Sequence, residues 1–79
     1  MANRKSSNLV AFGERIRRAR SERGWTQEEF AYKCGLDRSY MGGIERGERN
    51  ITLDTLCKVA EGLGMTLPEL LVGLPRRAR

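Results

Sequence analysis

The sequence contains no histidine, only two cysteines, two prolines and, among its 79 residues, one Trp, two Tyr and two Phe. Lacking histidine, the chain lacks the commonest general base, the commonest metal ligand and every Ser-His or Cys-His nucleophile pair. No paired-carboxylate, nucleophile or phosphate-loop arrangement stands out, so a binding protein is expected rather than an enzyme, with no cofactor, metal or small-molecule ligand. Cys34 and Cys57 alone cannot complete a four-ligand zinc site. Both fall at apolar positions of helical patterns, which favours buried free thiols over a disulfide or an intersubunit metal clip. With Trp25 committed to packing, the few aromatics give no stacking platform for RNA. No apolar run approaches the roughly 20 residues of a membrane span, and the polar start Met1-Ala2-Asn3-Arg4-Lys5 leads into no signal-peptide stretch, so a cytoplasmic chain without a membrane partner is expected.

What is present is charge. Fifteen Lys and Arg against ten Asp and Glu give a net +5, which favours a polyanionic partner. A chain this short buries roughly 60% of the surface its unfolded form exposes, enough for one core. Apolar burial on the order of 120 kcal/mol is nearly cancelled by ordering at about 1.5 kcal/mol per residue, so a stabilising dimer partner is expected.

Residues 1–7 are polar and read as an arm ending in a helix cap. From Asn8 onward Leu9, Phe12, Ile16 and Ala19 recur at helical steps between charged residues, a first amphipathic helix stopped by Gly24. Thr26 with Glu29 three residues on makes a capping box, and Trp25 on Phe30 a staple, opening a second helix that runs through Ala31 and Cys34 to Gly35. After a turn, Leu36 anchors, Asp37 caps, and residues 38–45 form a short third helix facing inward through Met41 and Ile44. Thr52 caps a fourth helix carrying Leu53, Leu56, Val59, Ala60 and Leu63, broken by Gly62 and Gly64. Thr66, Pro68, Leu67, Leu70, Leu71 and Leu74 make a last helical group, and Pro75 leads into a basic tail, 75–79. No strand alternation or repeat appears, so one all-α domain of five helices spanning 8–74 is expected.

The placement of Gln27, Ala31, Gly35, Met41 and Ile44 meets the requirements of a helix-turn-helix: a small residue where two helices cross, a glycine in the turn, and apolar residues seating the second helix of the pair. From about Leu9 to Leu71 the chain resembles the Cro/cI-like (XRE-type, lambda-repressor-like) helix-turn-helix family, through Gly24-Trp25-Thr26-Gln27-Glu28-Glu29-Phe30-Ala31 and Ile44-Glu45-Arg46-Gly47. Within it, residues 36–50 look most like the controller proteins of restriction-modification systems. The resemblance implies a homodimer on a palindromic operator in double-stranded DNA, acting as repressor or activator. An antitoxin or phage-type repressor, whose main partner is another protein, is the alternative.

In that arrangement the third helix lies in the major groove. Arg38 is expected to read a guanine edge, or else to hold phosphate, and Ser39 to meet a base edge or phosphate. Tyr40 is expected on sugar or a thymine methyl, or else as a half-buried core ring. Gly42 and Gly43 are costly in a helix, and we read them as letting backbone approach DNA, with Gly43 at a base-reading position, tolerated drift being the alternative. Thr26 and Gln27, at the start of the second helix, together with Arg46, Arg49 and Asn50, are expected at phosphates, the minor groove being the alternative for Arg49. The resemblance further implies a partly buried ion pair between Arg20 and Glu45. Arg15, Arg17, Arg18 and Arg23 read as a solvated face. Leu67, Leu70, Leu71 and Leu74 are assigned to a two-fold dimer seam, with core completion as the alternative.

Overall fold

The computed structural model describes residues 6–76; of the arm at 1–7 and the tail at 75–79, only Ser6, Ser7, Pro75 and Arg76 fall among the described residues. Five helices follow in order, α1 (Ser7–Glu22), α2 (Gln27–Cys34), α3 (Arg38–Glu45), α4 (Leu53–Leu63) and α5 (Leu67–Leu70), with no strand among the described residues. Each begins on a short polar side chain that takes an otherwise unpaired amide. Ser6 accepts from the Leu9 amide, Thr52 from Thr55, and Asp37 from Ser39 and Tyr40. Thr26 and Thr66 form complete capping boxes, with Glu29 and Glu69 reaching back to the cap amides at 2.8 and 2.9 Å. The Trp25 and Phe30 rings stack at 5.7 Å.

The core is assembled from one face of each helix: Phe12, Ile16, Phe30, Met41, Ile44, Val59, Leu63 and Leu70 are all buried. Through it α1 packs on α3, α2 on both α3 and α4, and α4 on α5. Gly35 ends α2 at φ 71°, a left-handed conformation that costs glycine nothing, and so lets α3 turn sharply away.

Four expectations are corrected in the second half of the chain. Gly62 does not break α4 but lies within it, because a Cβ there would stand 2.6 Å from Cys34 Sγ and 3.2 Å from the Phe30 ring. The missing side chain lets α4 close on α2. Leu53 is 65% exposed and Thr55 is buried in its place, since the covered face of α4 begins at Thr55. Cys57, four residues on from Leu53, is exposed as well, while Cys34 is buried and its thiol is pushed up to about 11 by desolvation. Leu70 is fully buried in the chain's own core, so it has no surface to offer a second copy. Leu67, Leu71 and Leu74 are half-buried against that core, and Val72 is exposed.

Candidate nucleic-acid interface

The third helix carries two kinds of residue on eight positions. Met41 and Ile44 are buried, and Arg38 and Ser39 at its first turn are exposed. The inward pair fixes the helix, so the outward pair is held at a defined place without contributing to the core. A second, smaller anchor was not visible from periodicity. Gly13 in α1 faces the end of α3 so closely that a Cβ would lie 2.4 Å from the Ile44 carbonyl oxygen and 2.5 Å from that of Glu45. Main chain therefore rests on main chain. Its signal in the sequence is a glycine beside Phe12 and four residues from Leu9, on the apolar face of a helix.

The Arg20 and Glu45 pair forms as expected. Arg20 Nε and Nη2 donate to the two Glu45 carboxylate oxygens at 2.6 and 3.0 Å, and Nη1 donates to the Trp25 carbonyl at 2.8 Å. The Glu45 hydrogen bond is the leading reason the Arg20 guanidinium is held charged even above its ordinary range. With the Glu45 side chain only 2% exposed, the pair ties α1, the α2 start and the end of α3 at one buried point. Gln27 joins it, donating its side-chain amide to Glu45 at 2.9 Å. One amide hydrogen of Gln27 is thereby committed to the protein.

Asp37 organises the N-terminal end of α3. Its carboxylate accepts from the Ser39 amide at 3.0 Å, from the Tyr40 amide and from the Ser39 hydroxyl, and the Ser39 hydroxyl bond is the leading cause of its lowered pKa. Ser39 thus spends its hydroxyl proton on the cap and keeps its oxygen as an acceptor. Thr26 differs, because its hydroxyl oxygen accepts from the Glu29 amide and its own proton is left to donate.

After α3 the chain doubles back. The Gly47 amide bonds the Ile44 carbonyl at 3.0 Å and the Glu48 amide bonds the Gly43 carbonyl at 2.9 Å, a helix-ending turn that Gly47 makes at φ 76°. This reversal gathers the remaining candidates. Arg49 Cζ lies 5.5 Å from the Tyr40 ring centre, and the Tyr40 hydroxyl points at the Asn50 carbonyl at 3.5 Å. Arg46 Nε pairs with Glu48 at 3.0 Å, both side chains being about half exposed. Gly43 does not present open backbone: it is buried, because the Arg49 side chain lies over it. Tyr40 is half-buried against the core, the alternative set out for its ring.

The structure therefore brings Tyr40, Gly43, Arg49 and Asn50 together, places Arg38 and Ser39 on the preceding turn, and joins Gln27 to Glu45. Arg15 and Arg23 stand apart and are corrected. Arg23 donates to the Ala19 and Leu63 carbonyls at 2.9 and 2.8 Å, and Arg15 to those of Leu70 and Glu69 at 3.4 and 3.5 Å. They neutralise the carbonyl ends of helices rather than forming an idle solvated face.

Comparison with known proteins gives the same arrangement a context. The helix-turn-helix family profile matches residues 16–70. Control protein C.MunI from Mycoplasma sp is 44% identical over 62 residues, 77% of this chain and 84% of its own length. Among solved structures, the restriction-modification controller protein C.AhdI from Aeromonas hydrophila superposes with a TM-score of 0.78 at 47% identity, covering 81% of this chain and 97% of that one. The controller protein C.Esp1396I, solved as a tetramer on its natural 35 base-pair operator, gives 0.77 at 39% identity over 86% of this chain and 93% of that one.

Proposed function

The chain belongs to the helix-turn-helix family, and on that premise we propose that it is a homodimeric, sequence-specific DNA-binding regulator of the restriction-modification controller type. The observation that carries the reading is the division of α3 between buried Met41 and Ile44 and exposed Arg38 and Ser39. An eight-residue helix rises about 12 Å, close to the width of the B-DNA major groove. Arg38 would meet a guanine O6/N7 edge with both arms of its guanidinium, and Ser39 would accept from a base amino group. Tyr40 would lie against sugar or a thymine methyl. Thr26, Gln27, Arg46, Arg49 and Asn50 would hold the flanking phosphates, which sets register rather than sequence.

Residues 8–74 make up the DNA-binding unit in this reading, with α5 at its dimer end. A two-fold seam there draws on Leu67, Leu71 and Leu74 with exposed Val72, since Leu70 is spent in the core. Two copies so joined would set their third helices about 34 Å apart, one turn of DNA. The protein then acts by occupying a promoter.

The test is direct. Duplexes are enriched from a random library by the wild-type chain, and affinity is compared with a scrambled duplex of equal length. Arg38→Ala is expected to lower the preference for the enriched duplex about 10- to 100-fold, the worth of one bidentate base contact, while affinity for the scrambled duplex stays nearly constant. Equal loss on both duplexes would remove Arg38 from base reading.

A further inference from the structure

We propose that Gly43 is a positioning residue for operator recognition, the seat on which the Arg49 side chain is laid against the third helix before DNA arrives. The inference rests on the DNA-binding reading and adds to it a residue that touches no base.

Gly43 lies inside α3, where glycine is the poorest choice short of proline. Space explains it. A Cβ at this position would stand 2.8 Å from Arg49 Cγ, 3.0 Å from Nε and 3.4 Å from Cδ. The nearest atom belongs to the stem of Arg49, close to its main chain, so rotation of the guanidinium alone would not relieve the contact. The loop holds that main chain in place, because the Glu48 amide bonds the carbonyl of Gly43 itself. From this seat the guanidinium lies over the Tyr40 ring. Gly42 offers an internal contrast. Its Cβ would meet side-chain ends rather than a stem, Arg46 Nη1 at 3.1 Å and Gln27 Oε1 at 3.5 Å.

An arginine already laid down on the binding face loses less rotamer freedom when it engages a ligand, and affinity rises by the cost avoided. A methyl group at Gly43 lifts Arg49 off its seat and off Tyr40, while improving the local preference for helix. Affinity and fold stability are thus driven apart, which a purely structural role for the glycine would not do.

The 79-residue chain is compared as wild type, Gly43→Ala, Arg49→Ala and the double variant, each on the library-enriched duplex and on the scrambled one. Gly43→Ala and Arg49→Ala are each expected to weaken binding to the enriched duplex about three- to tenfold, and the double variant to be no weaker than Arg49→Ala. The Tm of Gly43→Ala should not fall. A loss on Gly43→Ala that persists in the Arg49→Ala background overturns the seat and restores direct approach of the Gly43 backbone to DNA. Wild-type affinity in Gly43→Ala also overturns it. A readout without DNA separates the seat from the reading it rests on. In the free protein the Tyr40 ring should shift the Arg49 side-chain proton resonances upfield, and Gly43→Ala should abolish that shift. If the shift persists, the seat fails. If the wild-type chain enriches no duplex at all, the DNA-binding reading fails, and the resonances still decide the seat.

Discussion

Arg15 and Arg23, around α1, carry the same functional group as Arg38 and Arg49, around α3, and the two pairs spend it differently. The first pair directs its hydrogen bonds at main-chain carbonyls where helices end, with Arg23 bridging the ends of α1 and α4 and Arg15 reaching the end of α5. The second pair belongs to a surface where side chains meet glycine or an aromatic face, as Arg49 does over Gly43 and Tyr40. Net charge does not separate these roles. What separates them is whether the protein's own acceptors have already taken the donors, and that depends on where helix ends fall in space.

Arg20 sits between the two regions and its loss should erase the distinction. Arg20→Ala leaves the buried Glu45 carboxylate without its ion-pair partner and is expected to cost about 3–5 kcal/mol in denaturant melts, so that both faces fail together. The next largest effect contrasts core with seam. Leu70→Ala should cost about 2–4 kcal/mol by opening a cavity in each chain. Val72→Asp, at an exposed position, should leave the fold of each chain intact and yield a monomer in sedimentation. An unchanged dimer would move the seam elsewhere. Arg23→Ala tests the comparison itself. It should lower stability by about 0.5–1.5 kcal/mol in the same melts while changing affinity for the enriched duplex less than twofold, the reverse of the pattern for Arg38→Ala.

The smallest effect concerns pH. The Asp37 carboxyl is held below its ordinary range by the Ser39 hydroxyl and the first amides of α3. A carboxyl lowered in the fold stabilises it above the unfolded pKa, about 4, and that contribution is lost as pH falls through the lowered native value. The advantage in Tm of wild type over Asp37→Ala should therefore shrink as pH drops below about 4.

Local chemistry made the helix starts legible in the sequence. Thr26 with Glu29, Asp37 before Arg38 and Thr66 with Glu69 each state a cap within four residues, and the third helix was bounded by Asp37 and the loop after Glu45. The Arg20 and Glu45 pair, 25 residues apart, came from resemblance and not from spacing. What stayed hidden depends on which faces other helices cover. Leu53 and Cys57 keep helical spacing with the core residues of α4, yet they lie on an edge that the described residues leave exposed. Gly62 and Gly13 read as a breaker and as nothing at all, because a close approach is a property of two helices. Gly43 stands out as a glycine inside a helix, but what lies over it is an arginine six residues away, brought back by a turn that periodicity does not describe.

The uneven pair of cysteines has a practical consequence. Cys34 is buried with its thiol pushed up to about 11, where little thiolate exists near neutral pH, whereas Cys57 is exposed on α4. The natural chain thus carries one attachment point for a thiol-directed dye or spin label, with no substitution needed. In an assembly of identical copies that point recurs once per chain, and the molecule brings its own ruler.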